Sequence, residues 1–343
     1  MTGARHVTGG RIKCFGEVLL RLAAPGRELL LQSGRFDVHV GGAEANVAVA
    51  LSCLGHDVGM VSALPDNPLG REARAFLRGH GVGTDAMCET EGRMGLYFLA
   101  HGAGLRPSEV IYDRAGSAFV QACASGFDWP SLLDGASLLH LSGITPALGP
   151  DAAAAALAAA ETANALGVPV SFDGNYRARL WEAWDSNPRD ILNRLVASAD
   201  VLFGNYRDIS LLLGSAFTGE GPERRRAAAE AAFAQFDRLR VIASTARHVE
   251  DADRHRIAAR IDMRGTCVQT GEVPVAGIVD RIGAGDAFAA GVLDGLLRDL
   301  APEAIIHGGL ALTCLKHSLP GDASRLRQTD IDAFLDGVAD VRR

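Results

Sequence analysis

Short apolar runs alternate with longer amphipathic stretches along most of this chain, the pattern of a mostly parallel sheet covered by helices. Residues 12–19 read as a first strand. The spacing over 44–54 predicts a helix that stops at Gly55, a residue suited to the left-handed turn closing a helix. Residues 58–64 read as a buried strand, 69–80 as a helix closed by Gly81, and 138–141 as another strand. The alanine-rich stretch 151–166 predicts a helix of little bulk ending at Gly167, followed by a strand at 168–172. Strands at 200–203 and 239–244 continue the rhythm. The charge-rich stretch 220–230 reads as the solvated face of a helix.

Two pieces break the pattern. Residues 28–40 and 95–112 alternate like strands but have no helical cover of their own. They read as a small β-lid at the edge of the main sheet, built from inserted segments of about 25–40 and 92–115. A sheet with one open face closes over a ligand or pairs with a second subunit, so a homo-oligomer joined through the lid is expected.

The length of 343 residues suits one large α/β domain with an insertion. A hydrophobic share of 48% and a net charge of -7 fit a globular protein without the broad basic face that nucleic acid requires. No apolar run is long enough to span a membrane, and residues 1–11 lack the apolar core of a signal peptide. A cytoplasmic protein is expected. The six cysteines are scattered without close pairs and read as small buried side chains.

The candidate chemistry lies late in the chain, in Val279-Asp280-Arg281-Ile282-Gly283-Ala284-Gly285-Asp286. This segment follows a strand-like run and opens an apolar helix. Small residues at such a turn let backbone N–H groups approach an anion, and the helix start adds partial positive charge. Asp286, in the first turn, is placed to take a proton from an attacking hydroxyl. By itself the motif reads equally well as a glycine turn with an acidic helix start. It is neither a Walker A loop nor the early Gly-x-Gly-x-x-Gly of dinucleotide binders. A second glycine-rich stretch, Gly41-Gly42-Ala43-Glu44-Ala45-Asn46, permits close backbone approach to a ligand and offers the Asn46 amide to hydroxyls.

The pair of motifs resembles the two signature regions of ribokinase-like (PfkB) carbohydrate kinases, across nearly the whole chain. The resemblance implies one kinase domain over 11–335, with a mostly parallel sheet flanked by helices and a small β-sheet lid. It implies ATP and Mg2+ as cofactors, Asp286 as general base, the amides of Ala284 and Gly285 as part of the anion hole, and Gly283 as a further residue of the catalytic turn. Ser171-Phe172-Asp173-Gly174-Asn175-Tyr176-Arg177, Tyr97, the stretch from Tyr112 to Ala118 and His140-Leu141-Ser142-Gly143 resemble the 2-keto-3-deoxygluconate kinases in particular. Arg177 suits a carboxylate, Arg114 adds a second positive group, and Tyr97 and Tyr112 offer phenolic hydroxyls. With Gly42, Asn46 and Asp286 they form the implied sugar-acid site, since a neutral sugar needs no pair of arginines.

Two departures from the family pattern stand out. Asn205-Tyr206-Arg207-Asp208 matches the family's Asn-x-x-Glu with a shorter last residue, so Asn205 and Asp208 are implied to hold Mg2+ through water. After Ala243 the usual glycine turn beside the nucleotide is replaced by Ser244-Thr245-Ala246-Arg247-His248. Ser244, Arg247, Gly283, Gly285 and His317 are the implied nucleotide contacts, with Arg247 either reaching a phosphate or solvated. The rival readings are a kinase for fructose or for a keto-deoxy-galactonate, a sugar-acid-binding regulator without turnover, and a dinucleotide oxidoreductase.

Overall fold

The computed structural model describes residues 10–219 and 221–338. Most of the polar N-terminal stretch and Glu220, the first residue of the charge-rich segment, lie outside the described residues.

A ten-stranded sheet forms the centre. In chain order its strands are β1 (Arg11–Phe15), β4 (Val58–Pro65), β5 (Met87–Thr90), β8 (Ala136–Ser142), β9 (Val170–Asp173), β10 (Val201–Phe203), β11 (Val241–Val249), β12 (Arg254–Met263), β13 (Thr266–Gln269) and β14 (Val273–Ala276). The remaining four, β2 (Leu19–Ala23), β3 (Asp37–Gly41), β6 (Gly95–Ala100) and β7 (Glu109–Asp113), make a separate small sheet.

The run β11-β10-β9-β8-β1-β4-β5 is parallel throughout. Helices cover both faces, so its inner strands are apolar on both sides, and β4 is buried at every position. One apolar cluster gathers Val47, Leu51, Phe288 and Leu310 on one face. The other gathers Phe15, Trp129, Phe172 and Trp181. The alanine-rich helix is Pro150–Leu166, with eight buried side chains and Gly167 in the left-handed conformation at its end. The absence of bulk lets it lie close against the sheet. The expected α/β architecture with a second, small sheet is the one observed.

The differences are local and have physical causes. The expected first strand over 12–19 is two strands in two sheets. A Cβ on Gly16 would stand 2.1 Å from the Glu44 carboxylate, and past this close approach the chain turns into β2. Of the stretch 28–40 only Asp37–Gly41 is strand, and 95–112 splits into β6 and β7. The strand expected to end at 244 runs on to Val249, paired antiparallel with β12 from Val241↔Met263 to Val249↔His255. Ser244 to Val249 thus continue the strand past Ala243 without a glycine turn. Cys14, Cys123 and Cys314 are buried as expected, whereas Cys88 and Cys267 are exposed. Among the described residues no helix is long and apolar enough to cross a membrane.

Candidate active site

The carboxyl ends of parallel strands, where backbone and helix starts converge, are where α/β sheets hold ligands. Here the helices Ala43–Cys53 and Ala284–Leu297 pack together beside that edge. Their first turns bring Asn46 to Asp286, with the amide Nδ2 donating to Oδ2 across 2.7 Å. Asp286 is half-buried. Burial, followed by the negative charges of Asp173, Asp322 and Glu44, pushes its carboxyl up to about 8, and the Asn46 bond works in the opposite direction.

Gly283 caps this helix at φ 77. A Cβ there would also lie 1.7 Å from the Asp322 carbonyl oxygen, so both the backbone angle and the packing require glycine. The Ala284 N–H turns back to Arg281 O in a long bond of 3.3 Å, and the Ala287 N–H bonds Gly283 O at 2.9 Å. The Gly285 and Asp286 N–H groups lie between these two and have no backbone acceptor among the described residues. The free amides of the turn are therefore those of Gly285 and Asp286, displaced by one residue from the expected Ala284 and Gly285.

The turn is anchored by a buried charge network. Arg21, on β2 and wholly buried, donates to Asp280 Oδ2 at 2.6 Å and lies 3.2 Å from Asp322 Oδ1. Tyr97 donates its hydroxyl to Asp322 Oδ2 at 2.5 Å. The Ile282 and Gly321 N–H groups both donate to Asp280. The small sheet is thereby tied to both segments flanking Gly283.

The expected sugar-acid residues fall into two groups. Gly42 lies against the Glu17 backbone at φ 131, where a Cβ would stand 2.2 Å from the carbonyl oxygen. Tyr97 and Tyr112 pair across β6 and β7 with ring centroids 6.2 Å apart. Tyr97 is buried and bound to Asp322, whereas Tyr112 is 36% exposed. Arg114 is buried and donates to Glu17 Oε2 at 2.6 Å, so its charge is already matched inside the protein. Arg177 is exposed, and among the described residues its side chain hydrogen-bonds only the neighbouring Tyr176 carbonyl. Of the two arginines it is the one exposed at the surface.

Asp173, at the end of β9, is pushed up to about 7 by burial and then by Asp208, while Arg177 pulls it down. Asn205 and Asp208 close a capping box on the helix Tyr206–Leu213, with Asp208 accepting from Asn205 N at 2.7 Å and Asn205 from Arg207 N at 2.8 Å. Among the described residues no cluster of three His, Cys, Asp or Glu stands ready to ligate a metal directly.

On the other side, Ser244 and Arg247 lie on β11 opposite Arg260 and Ile257 of β12. His317 is buried, its ring bonded to Thr313 O at 2.7 Å. Its backbone oxygen accepts from Val279 N at 2.9 Å and Asp280 N at 3.2 Å.

Sequence reading did not single out Glu17, Arg21, Glu44, Asp280 or Asp322. Glu44 is fully buried and accepts from Ser142 N, Ser142 Oγ and Thr145 Oγ1 through one oxygen. A charged residue inside an apolar strand, as in Leu19-Leu20-Arg21-Leu22, is the signal that points to such a network.

Comparison with known proteins agrees with this geometry. The pfkB family carbohydrate kinase pattern matches residues 10–328. The 2-dehydro-3-deoxygalactonokinase of Haloferax volcanii is 33% identical over 323 residues, covering 94% of this chain and 96% of that protein. The 2-dehydro-3-deoxygluconokinase of Thermoproteus tenax is 33% identical over 202 residues, covering 58% of this chain and 61% of its own. The crystal structure of 2-dehydro-3-deoxygluconokinase from Thermotoga maritima superposes with a TM-score of 0.90 at 38% identity, over 96% of this chain and 100% of that one.

Proposed function

The chain belongs to the pfkB family of carbohydrate kinases, and we propose that it transfers a phosphoryl group from ATP to the terminal hydroxyl of a 2-keto-3-deoxy sugar acid. The acceptor we assign is 2-keto-3-deoxygluconate, giving the 6-phosphate. The observation that carries the reading is Asp286, held by Asn46 at 2.7 Å beside two unbonded amides at a helix start. A carboxylate there takes the proton as the hydroxyl attacks, and the amides of Gly285 and Asp286 meet the charge on the moving phosphoryl group.

Arg177 holds the sugar-acid carboxylate through its open guanidinium, and Tyr112 and Gly42 border the chain of the sugar. Arg114 and Tyr97 act from behind, fixing Glu17 and Asp322 in the wall of the site. The small sheet closes over the acceptor and excludes water, which otherwise competes for the phosphoryl group.

Magnesium fits the carboxylates present. Asp208 adds its negative charge to the burial that raises Asp173, a repulsion that a cation relieves. Mg2+ keeps most of its waters and needs only one or two carboxylates, so Asp208 and Asn205 would hold it through water. When bound it supplies neutralising charge to the nucleotide phosphates.

A second acceptor is favoured by one observation. The 2-dehydro-3-deoxygalactonokinase relative matches nearly the full chain, so the epimeric keto-deoxy-galactonate is the alternative. The test is ADP release over a panel of both keto-deoxy acids, fructose and ribose. Turnover with a keto-deoxy acid at least about tenfold above the neutral sugars is expected, since a charge-assisted bond is worth about 1.5–3 kcal/mol. Preference for a neutral sugar overturns the sugar-acid reading. Binding without ADP release from any acceptor leaves a sugar-acid-binding protein.

A further inference from the structure

Beside the helix start are two guanidinium groups that no group of the described residues neutralises. Arg247, exposed on β11, and Arg281, half-buried two positions before Gly283, have no side-chain hydrogen bond and no ion pair. Nearby arginines on the same hairpin are matched: Arg254 binds Asp251, Arg256 binds Glu250 and Glu272, and Arg260 binds Asp262. Arg247, opposite Ile257 on β12, shares a sheet face with His255 two positions along that strand, and after burial the charge of Arg281 is what lowers Arg247 from its ordinary value.

Two buried histidines lie behind them. His255 and His317 meet ring to ring at 5.8 Å and 88°, each no more than 3% exposed. His255 Nδ1 and His317 Nε2 have no hydrogen-bond partner among the described residues. Burial, and after it the charges of Arg247 and Arg281, lower His255 from its ordinary value, while Asp251, which acts the other way, is engaged by Arg254. The two guanidinium groups, the charges of this corner, thus stand before a pair of histidines that burial keeps neutral. Like charges left unmatched where water is partly excluded destabilise the empty protein, and an anion placed between them relieves that cost. The corner is continuous with the anion-hole turn, because Arg281 O accepts the N–H of Ala284.

We infer that Arg247 and Arg281 form a two-guanidinium clamp on the polyphosphate tail of the nucleotide, in place of a glycine turn after Ala243. The inference rests on the kinase reading and adds Arg281 to the residues that hold the donor. Planar guanidinium groups match phosphate oxygens in pairs. The clamp therefore discriminates by phosphate count: diphosphate and triphosphate tails engage both groups, and adenosine engages neither.

Equilibrium titration of ATP, ADP, AMP and adenosine into the wild type, Arg281→Ala, Arg247→Ala and Arg281→Lys tests it. Both side chains are outside the core, so the variants keep the fold. Each alanine variant is expected to lose about 10- to 150-fold in ADP and ATP affinity, the worth of one charge-assisted contact. Adenosine binding and the KM for the sugar acid stay at wild-type values, and Arg281→Lys recovers part of the loss. Wild-type ADP affinity in Arg281→Ala overturns the clamp, as does an equal loss for adenosine and ADP. Failure of the wild type to bind ATP at all overturns the kinase reading beneath it, a result distinct from either.

Discussion

Asn46 and Asp286, 240 positions apart in the chain, meet through a single 2.7 Å hydrogen bond between the first turns of two packed helices. The bond favours the ionised carboxylate that burial and three neighbouring acids disfavour. Asp286→Asn is expected to lower kcat by about 10²–10⁴-fold while sugar-acid binding persists, the usual cost of losing a general base. A variant retaining more than about a tenth of wild-type kcat removes Asp286 from that role. Asn46→Ala removes the bond alone, so the acid limb of the kcat/KM profile moves to higher pH. An unmoved limb separates Asn46 from the tuning of Asp286.

Stability responds to the same group with a definite sign. The Asp286 carboxyl sits near 8 in the folded chain against an ordinary 3.8. Between those values the folded form holds a proton that the unfolded chain releases, so stability falls as pH rises through the window. The cost is absent below the lower value and fully present above the upper. Asp286→Asn is therefore expected to raise the melting temperature more at pH 8.5 than at pH 4.5 or below. Equal gains at both pH values show that the carboxyl is not shifted.

Arg177 tests the substrate class. Arg177→Ala is expected to raise KM for the sugar acid roughly 10- to 150-fold, the equivalent of about 1.5–3 kcal/mol. A neutral sugar of similar length loses much less. Arg177→Lys recovers only part, because an ammonium lacks the planar fork. Equal losses with every acceptor, together with a lower melting temperature, identify Arg177 as a support for the end of β9 instead.

Arg114 and Glu17 behave as a buried unit, at 2.6 Å and each no more than 5% exposed. Arg114→Met leaves Glu17 charged and unpaired, and a loss of about 3–5 kcal/mol in urea unfolding is expected. The double variant Glu17→Gln with Arg114→Met recovers much of it. If Arg114→Met instead leaves stability intact and raises KM for the acid, Arg114 touches the ligand itself.

The small sheet carries the expectation of self-association. Val38, Leu22, Phe98 and Ile111 form one cross-strand row on it, with Val38 57% and Ile111 48% exposed. Sedimentation is expected to show a dimer or larger assembly at micromolar concentration, dissociated by Val38→Lys with Ile111→Lys. A wild-type monomer rules out pairing through this face.

The sequence by itself determined what is local. Continuous apolar runs of β4 and β8, the 3.6-residue period of the covering helices and the glycines at their ends were all legible, because each is set by neighbours a few positions away. So was the turn before Asp286, since glycine ahead of an apolar helix supplies the left-handed backbone angle that other residues rarely adopt. Folding across the chain sets which charges are paired inside the protein and which stay unpaired. Arg114 and Arg177 read alike in the chain, yet folding pairs the first with Glu17 and leaves the second open. It likewise buries Arg21 between Asp280 and Asp322 and leaves Arg281, next in the chain to Asp280, unmatched. Ion pairing is set by approach across hundreds of positions and by exclusion of water at the meeting point, and neither quantity has a local period to read.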